Sequence, residues 1–440
     1  MSFFSKKIKK FKTFKWYYLL IVLLAFLSDD SYWAATSGNN YLSLARYAFV
    51  VALPIIFMAF LKVNVGKDIK TLLILIIAGI FIASLISGSG MGGPIMLFFS
   101  LVSAALIVTK VDISIFSARF CEVVVVMILY SFVLQMLIMV GLLQVRTIEN
   151  VIGANLSMVG GCIFHNSYFG LIMRNGCIFR EPGVFMVYIT MAYVLDIWLN
   201  KGGLTLRRQL IYFLGEFSTM STAGMIIWAF LFVINILKKG SFKAKNLIPM
   251  VIVVIVAYFI FSNEIIYGNV FAKLDRGTDS ASVLGRLSSV VIPLKMTLNS
   301  PLWGCGTENF RDVYIHYGKE LFHTEIDPQG LATNAILNAS AVFGLWFGIF
   351  IILGFWRLSE KLSAGNVLGC FLTFLSIVMT FSNESMQYSL IFYLLIFYGY
   401  RKRKKSKSRN IKYIIRSILR WRKMSQQSTK VLVEGYISPK

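Results

Sequence analysis

Apolar residues run through this chain in uninterrupted blocks, and the length of those blocks constrains the fold more than any motif does. A stretch such as Leu72–Ser87 (LLILIIAGIFIASLIS) has neither the two-residue alternation of a half-buried strand nor the narrow stripe of a soluble amphipathic helix. About twenty such residues in helical form cross the hydrocarbon core of a bilayer. The other spanning architecture, a closed β-barrel, needs alternating segments of about ten residues, and these runs do not alternate. Composition agrees: 57% of the 440 residues are hydrophobic and 15% are charged, against the roughly one quarter charged in soluble domains. The expected fold class is all-α, a polytopic membrane protein.

The net charge of +24 raises nucleic acid as a partner, but its placement argues otherwise. Six lysines precede an apolar run that starts at Trp16, with no clear cleavage site before Asp29 and Asp30, so the first helix is expected to stay uncleaved. Spans are expected near 14–28, 41–61, 71–88, 93–109, 120–143, 183–199, 210–220, 223–237, 247–262, 335–356, 366–381 and 387–400, about twelve in all. With the lysine-rich end inside, basic residues then fall in the inner loops each time. Examples are Lys62, Lys67 and Lys70, then Lys110 and Arg119, then Arg207 and Arg208, then Arg357 and Lys361. That asymmetry orients a helical bundle with both termini in the cytoplasm. The organisation is thus a basic cytoplasmic segment 1–15, a membrane domain 16–400, and a basic tail 401–440. Outer loops cover about 144–182 and 263–334, and the tail carries an amphipathic helix around Ile411–Leu419 suited to an anionic lipid surface. Only residues 209–236 separate two basic inner loops, too few for two full crossings. A short hairpin with its tip Phe217–Gly224 at membrane depth is expected there.

Charges that break the inside rule carry the functional information. Arg146, Arg174, Arg180, Lys273, Arg276, Arg286, Lys295, Arg311 and Lys319 lie in the two long outer loops, and so do His165, His316 and His323. Guanidinium groups stay charged and bind phosphate oxygens in a bidentate fork, so this set suits a multiply charged oxyanion. Histidine nearby can move a proton near neutral pH. Carboxylates such as Glu149, Glu181, Glu308, Asp312 and Asp327 share these loops, and pairing with them is the competing explanation for each arginine.

Pro182 in the motif Arg180-Glu181-Pro182-Gly183 suits the first turn of a helix, while Arg180 there is unfavourable unless an anion is bound. Gly304 and Gly306 allow a tight turn that can approach a ligand. Glu122, Asp196 and Glu216 are costly inside a membrane; the first two can reach an interface, whereas Glu216 lies mid-segment. The five cysteines show no metal spacing, and a Cys162–Cys177 disulfide stays open as an option. No DxD or HExxH motif occurs, so no metal or other cofactor is expected.

Taken in order, FREPGVF (179–185), STAG (221–224), GR (285–286), PLWGCGTENF (301–310), TNAILN (333–338) and FGLWFG (343–348) resemble the bacterial O-antigen polymerase and O-antigen ligase superfamily. The resemblance covers roughly residues 140–350, and the N-terminal spans match in hydropathy alone. It implies a GT-C-like bundle and glycosyl transfer on the outer face of the cytoplasmic membrane, from a polyprenyl-diphosphate-linked oligosaccharide. Most similar is a polymerase of capsule, exopolysaccharide or O-antigen repeat units; a ligase or a non-enzymatic flippase are the alternatives. Membrane lipid, a flippase and a chain-length regulator are the implied partners, and nucleic acid is not. Arg180 and Arg286 match the diphosphate-holding arginines, with Glu181 and Gly183 beside them. Arg174, Gly304, Gly306, Glu308, Arg311 and Asn334 are further expected substrate contacts. Many members carry His-Asn where this chain has Thr333-Asn334, so the base assignment passes to His323, the nearest histidine.

Overall fold

The computed structural model describes residues 16–150, 155–166, 173–200, 202–238, 281–329, 331–364 and 366–402. The basic N-terminal segment, the expected span 247–262 and the amphipathic helix of the tail lie outside them. The described chain up to Arg401 belongs to one compact, mostly helical unit. Its elements are α1 (Trp16–Phe26), α2 (Asn40–Ile55), α3 (Lys67–Ile86), α4 (Gly92–Lys110) and α5 (Ile113–Met139). Strands β1 (Arg146–Glu149), β2 (Asn155–Val159), β3 (Cys162–His165) and β4 (Arg174–Cys177) follow. Next come α6 (Pro182–Leu199), α7 (Leu206–Thr219), α8 (Thr222–Lys238), α9 (Ala281–Asn299) and α10 (Phe310–Phe322). The series ends with α11 (Ala335–Phe343), α12 (Leu345–Ser363), α13 (Val367–Phe381) and α14 (Leu390–Tyr400).

Five of these helices, α2 with its π-helical extension to Phe60, α3, α4, α5 and α6, are long and apolar enough to cross a membrane. Their outward faces are apolar too: α3 exposes Leu75 and Leu85, and α5 exposes Val126 and Val133. A soluble surface does not carry greasy faces on this scale, whereas a lipid-facing one does. The chain is a membrane-embedded helical protein. At the centre stands α6, with 89% of its apolar window buried against 28% for α2 and 33% for α3. A helix apolar on every side belongs inside a bundle, and α5, α7, α8, α12 and α13 pack around it.

Three expectations change. The class is not all-α, because the loop before α6 folds into an antiparallel sheet in the order β1-β2-β3-β4. Its strands are only four or five residues long, and short connections pair them locally in spite of the helical surroundings. Cys162 and Cys177 meet across β3 and β4 as free thiols hydrogen-bonded to one another. Second, the chain turns between two packed helices within 217–224, as a hairpin does, but the tip is tighter than expected: α7 continues to Thr219, Met220 turns the chain with φ +50°, and α8 starts at Thr222.

Third, the expected span 335–356 is two helices. Gly344 breaks it with φ +99°, and a Cβ there would stand 2.7 Å from the Leu302 carbonyl carbon. The strap 301–306 crosses the break. Leu345 N–H donates to Pro301 O (2.8 Å), while Cys305 and Gly306 N–H donate to Ala341 O (2.9 Å) and Val342 O (3.0 Å). The strap thereby satisfies carbonyls that the end of α11 leaves open.

Candidate functional site

A cavity of about 770 Å³ opens where the sheet, the start of α6, α9 and the α13–α14 loop meet. Register places its first wall: His165 on β3 pairs across the sheet with Arg174 on β4. Arg174 Nε donates to Thr219 O at 3.2 Å, which ties the sheet to the end of α7. Arg180 sits one residue before the N-cap Glu181 of α6. Its backbone N–H donates to Asp30 O (3.0 Å) and its guanidinium donates to Ser385 O (2.7 Å). Arg286 enters from α9 and donates to Asn383 O at 2.8 Å and to Thr333 Oγ1 at 3.4 Å. Three cations, two from the segment before α6 and one from α9 more than a hundred residues on, are thus delivered to one cavity by backbone carbonyls.

Those carbonyls orient the guanidiniums without neutralising them. Among the described residues Arg174, Arg180 and Arg286 form no ion pair, whereas Arg311, also at the cavity, is paired with Asp327. Pairing also accounts for Lys295 with Glu320 and Lys319 with Glu325. Two polar atoms, Arg180 Nε and His165 Nε2, are buried with no hydrogen-bond partner among the described residues. The Arg180 Nε–H is a donor, and burying it in that condition costs about 1–3 kcal/mol, a cost that an oxyanion in the cavity would remove. Burial, with help from Arg174, pulls His165 down to about 4, so its imidazole is neutral at neutral pH.

The carboxyl that faces this cluster was not anticipated. Glu384, in the loop between α13 and α14, is 5% exposed and lines the cavity. Its carboxyl rests on Gly183 in the first turn of α6, and a Cβ at that position would stand 2.5 Å from the Glu384 Cδ. Gly183 therefore serves the site by leaving room for Glu384. Burial pushes Glu384 up to about 7, with Glu181 adding to the rise while Arg286, Arg180 and Arg174 oppose it. In sequence the residue sits in the short stretch SNESM (382–386) between the expected spans 366–381 and 387–400, and a lone carboxylate there was its only signal.

The other expected site residues go elsewhere. His323 is the exposed C-cap of α10, with φ +55° and its N–H bonded to Lys319 O, and it does not line the cavity. Gly304 and Gly306 shape the strap across the α11–α12 break. The Glu308 carboxyl packs against Gly90, and Asn309 Nδ2 donates to Ser87 O at 2.9 Å, so this stretch clamps the α3–α4 turn. Asn334 is the N-cap of α11, accepting from Leu337 N–H at 3.0 Å. Its neighbour Thr333 is the residue of that pair that reaches the cavity. Glu216 accepts from Thr190 Oγ1 at 2.7 Å, binds α7 to α6 and does not line the cavity. Asp196 is held by Arg208 (2.7 Å) and Tyr212 (2.9 Å), and Glu122 by Arg119 (2.7 Å).

Among the described residues no group of three His, Cys, Asp or Glu side chains is placed to hold a metal ion. What the cavity offers is fixed positive charge, one neutral imidazole and one buried carboxyl able to exchange a proton near neutral pH. No family model, no curated protein and no solved structure matches the chain.

Proposed function

We propose that this protein polymerises polyprenyl-diphosphate-linked oligosaccharide repeat units into a surface polysaccharide, by glycosyl transfer on the outer face of the cytoplasmic membrane. In this reading about twelve spans cross the bilayer, both termini are cytoplasmic, and the cavity opens outward. The observation that carries it is the convergence of Arg174, Arg180 and Arg286 on one cavity without a carboxylate ion pair. Three guanidiniums against the single carboxylate of Glu181 leave a charge of about +2 when Glu384 is protonated, the complement of a diphosphate diester. A volume near 770 Å³ falls in the range that holds a small-molecule headgroup.

The chemistry follows from that placement. A hydroxyl oxygen of the acceptor sugar attacks the anomeric carbon of the donor. A new glycosidic C–O bond forms, the C–O bond to phosphate breaks, and its electron pair leaves with the diphosphate. Fixed guanidiniums stabilise the charge that develops on that leaving group. The similarity in motif order to the O-antigen polymerase and ligase superfamily supports the same reading.

The test uses cells carrying Arg180→Ala or Arg286→Ala. Loss of long chains, with single repeat units accumulating on lipid, is the expected result. Normal chain lengths in both variants would end the proposal. Long lipid-linked chains that fail to reach their final acceptor would instead identify a ligase.

A further inference from the structure

We propose that Glu384 is the proton acceptor for the attacking hydroxyl, and that a diphosphate bound at Arg174, Arg180 and Arg286 makes it a stronger base. The inference rests on the glycosyl-transfer reading above and assigns a group that neither the sequence motifs nor the resemblance singled out.

Geometry excludes two of the histidines, since His316 and His323 do not line the cavity, and electrostatics excludes the third. His323 caps α10 away from the cavity. His165 lines it, but burial and the facing Arg174 hold its proton affinity low. A base that weak accepts a hydroxyl proton poorly, since the most useful catalytic pKa lies near the working pH. Glu384 meets both conditions. Its carboxyl is seated on Gly183, the second residue of α6, so the glycine locates the acid relative to Arg180 three residues earlier. Burial pushes its pKa to about 7, inside the useful range.

The charged groups acting on Glu384 are Arg174 on β4, Arg180 and Glu181 ahead of α6, and Arg286 on α9; of the other titratable groups lining the cavity, Arg311 and Asp327 pair with one another and His165 is neutral. In the empty cavity those three guanidiniums favour its carboxylate form. A bound diphosphate takes up the same cations, so the carboxylate loses its counter-charge and gains an anionic neighbour. Both changes raise its affinity for a proton. The site becomes most basic when the donor is in place. The step balances: the acceptor O–H bond breaks, its proton moves to the Glu384 carboxylate, the oxygen pair forms the glycosidic bond, and the diphosphate leaves with the pair from the broken C–O bond. Release of the polyprenyl diphosphate restores the arginines to Glu384, which then returns its proton to water.

The experiment uses the full-length protein in detergent, with lipid-linked repeat unit extracted from cells lacking this protein as substrate. Wild type is expected to extend it, with kcat/KM rising with pH through about 7 and kcat rising at a higher pH, because the first reports the free enzyme and the second the donor complex. Glu384→Gln is expected to lose about 10²- to 10⁴-fold in rate and both pH limbs, while still binding the donor. Glu384→Asp is expected to keep the pH limbs at a reduced rate. An active Glu384→Gln variant with wild-type rates or an unchanged pH profile overturns the assignment of Glu384 alone. Failure of wild type to extend the substrate overturns the glycosyl-transfer reading beneath it.

Discussion

Replacing Gly183 with alanine isolates the seat of Glu384 from the fold around it. Gly183 is the second residue of α6 and has an ordinary negative φ, so alanine brings no backbone strain, and helix propensity favours it by up to about 1 kcal/mol. The added methyl, however, would lie 2.5 Å from the Glu384 Cδ, where carbon atoms need about 3.5 Å. The obstructing atoms are the end of a flexible side chain, so the carboxyl moves and the helix does not. The displacement is at least about 1 Å, because Glu384 Oε1 stands closer to the added methyl than Cδ does. Misplacing a reacting group by that distance costs on the order of 10²-fold in rate, or about 2.7 kcal/mol of barrier. The expected outcome is therefore a folded, stably inserted protein whose chain-extension rate falls about 100-fold. The measurement is the initial rate on lipid-linked repeat unit, beside thermal unfolding in detergent. Shortening the acid should relieve the clash, so adding Glu384→Asp to Gly183→Ala should recover part of the loss. A Gly183→Ala protein with wild-type rate would refute the reasoning, because the carboxyl would then not need its observed position.

The arginines should separate by their pairing. Arg174→Ala should lower polymer formation by about 10²- to 10³-fold, the usual cost of removing a fixed charge donor, whereas Arg311→Ala, whose side chain is 63% exposed and paired with Asp327, should lower it less than about tenfold. His323→Ala should leave chain length near wild type on a gel of extracted polysaccharide; a large loss would return the base to α10. Stability should depend on pH through Glu384. Its folded pKa is raised from 4.5 to about 7, so between those values the native state holds a proton that the unfolded chain has released. That contribution to stability is present below about pH 4.5 and is lost as pH rises through about 7. His165, lowered from 6.5 to about 4, contributes with the opposite sign, so the comparison is between wild type and Glu384→Gln. Their difference in unfolding temperature should shift against wild type across that window, and a difference that is flat with pH would refute the buried-acid account.

Block length alone made the helical membrane class legible, because crossing hydrocarbon demands that a segment satisfy its backbone internally, and only long apolar helices do so with residues adjacent in sequence. The excess of arginine in the two loops was equally local: Arg174, Arg180 and Arg286 stand out as charges that orientation does not require. Their role depends on partners far along the chain, and there the sequence was silent. Nothing in residues 174, 180 and 286 says that Asn383 O and Ser385 O will hold two of them, or that Glu384 will lie between. Gly304, Gly306, Glu308 and Asn334 had the composition of a binding turn, and the structure places them in the strap across the break at Gly344, against the α3–α4 turn and at the cap of α11. Gly183 read as part of a helix start, and only the packing of the α13–α14 loop onto it shows what the missing side chain is for. Hydropathy and charge are properties a residue carries with it wherever it goes. Whether a charge is neutralised, and whether a glycine makes room for a distant carboxyl, depends on segments some two hundred residues apart meeting at one end of the bundle, and tertiary packing alone decides that.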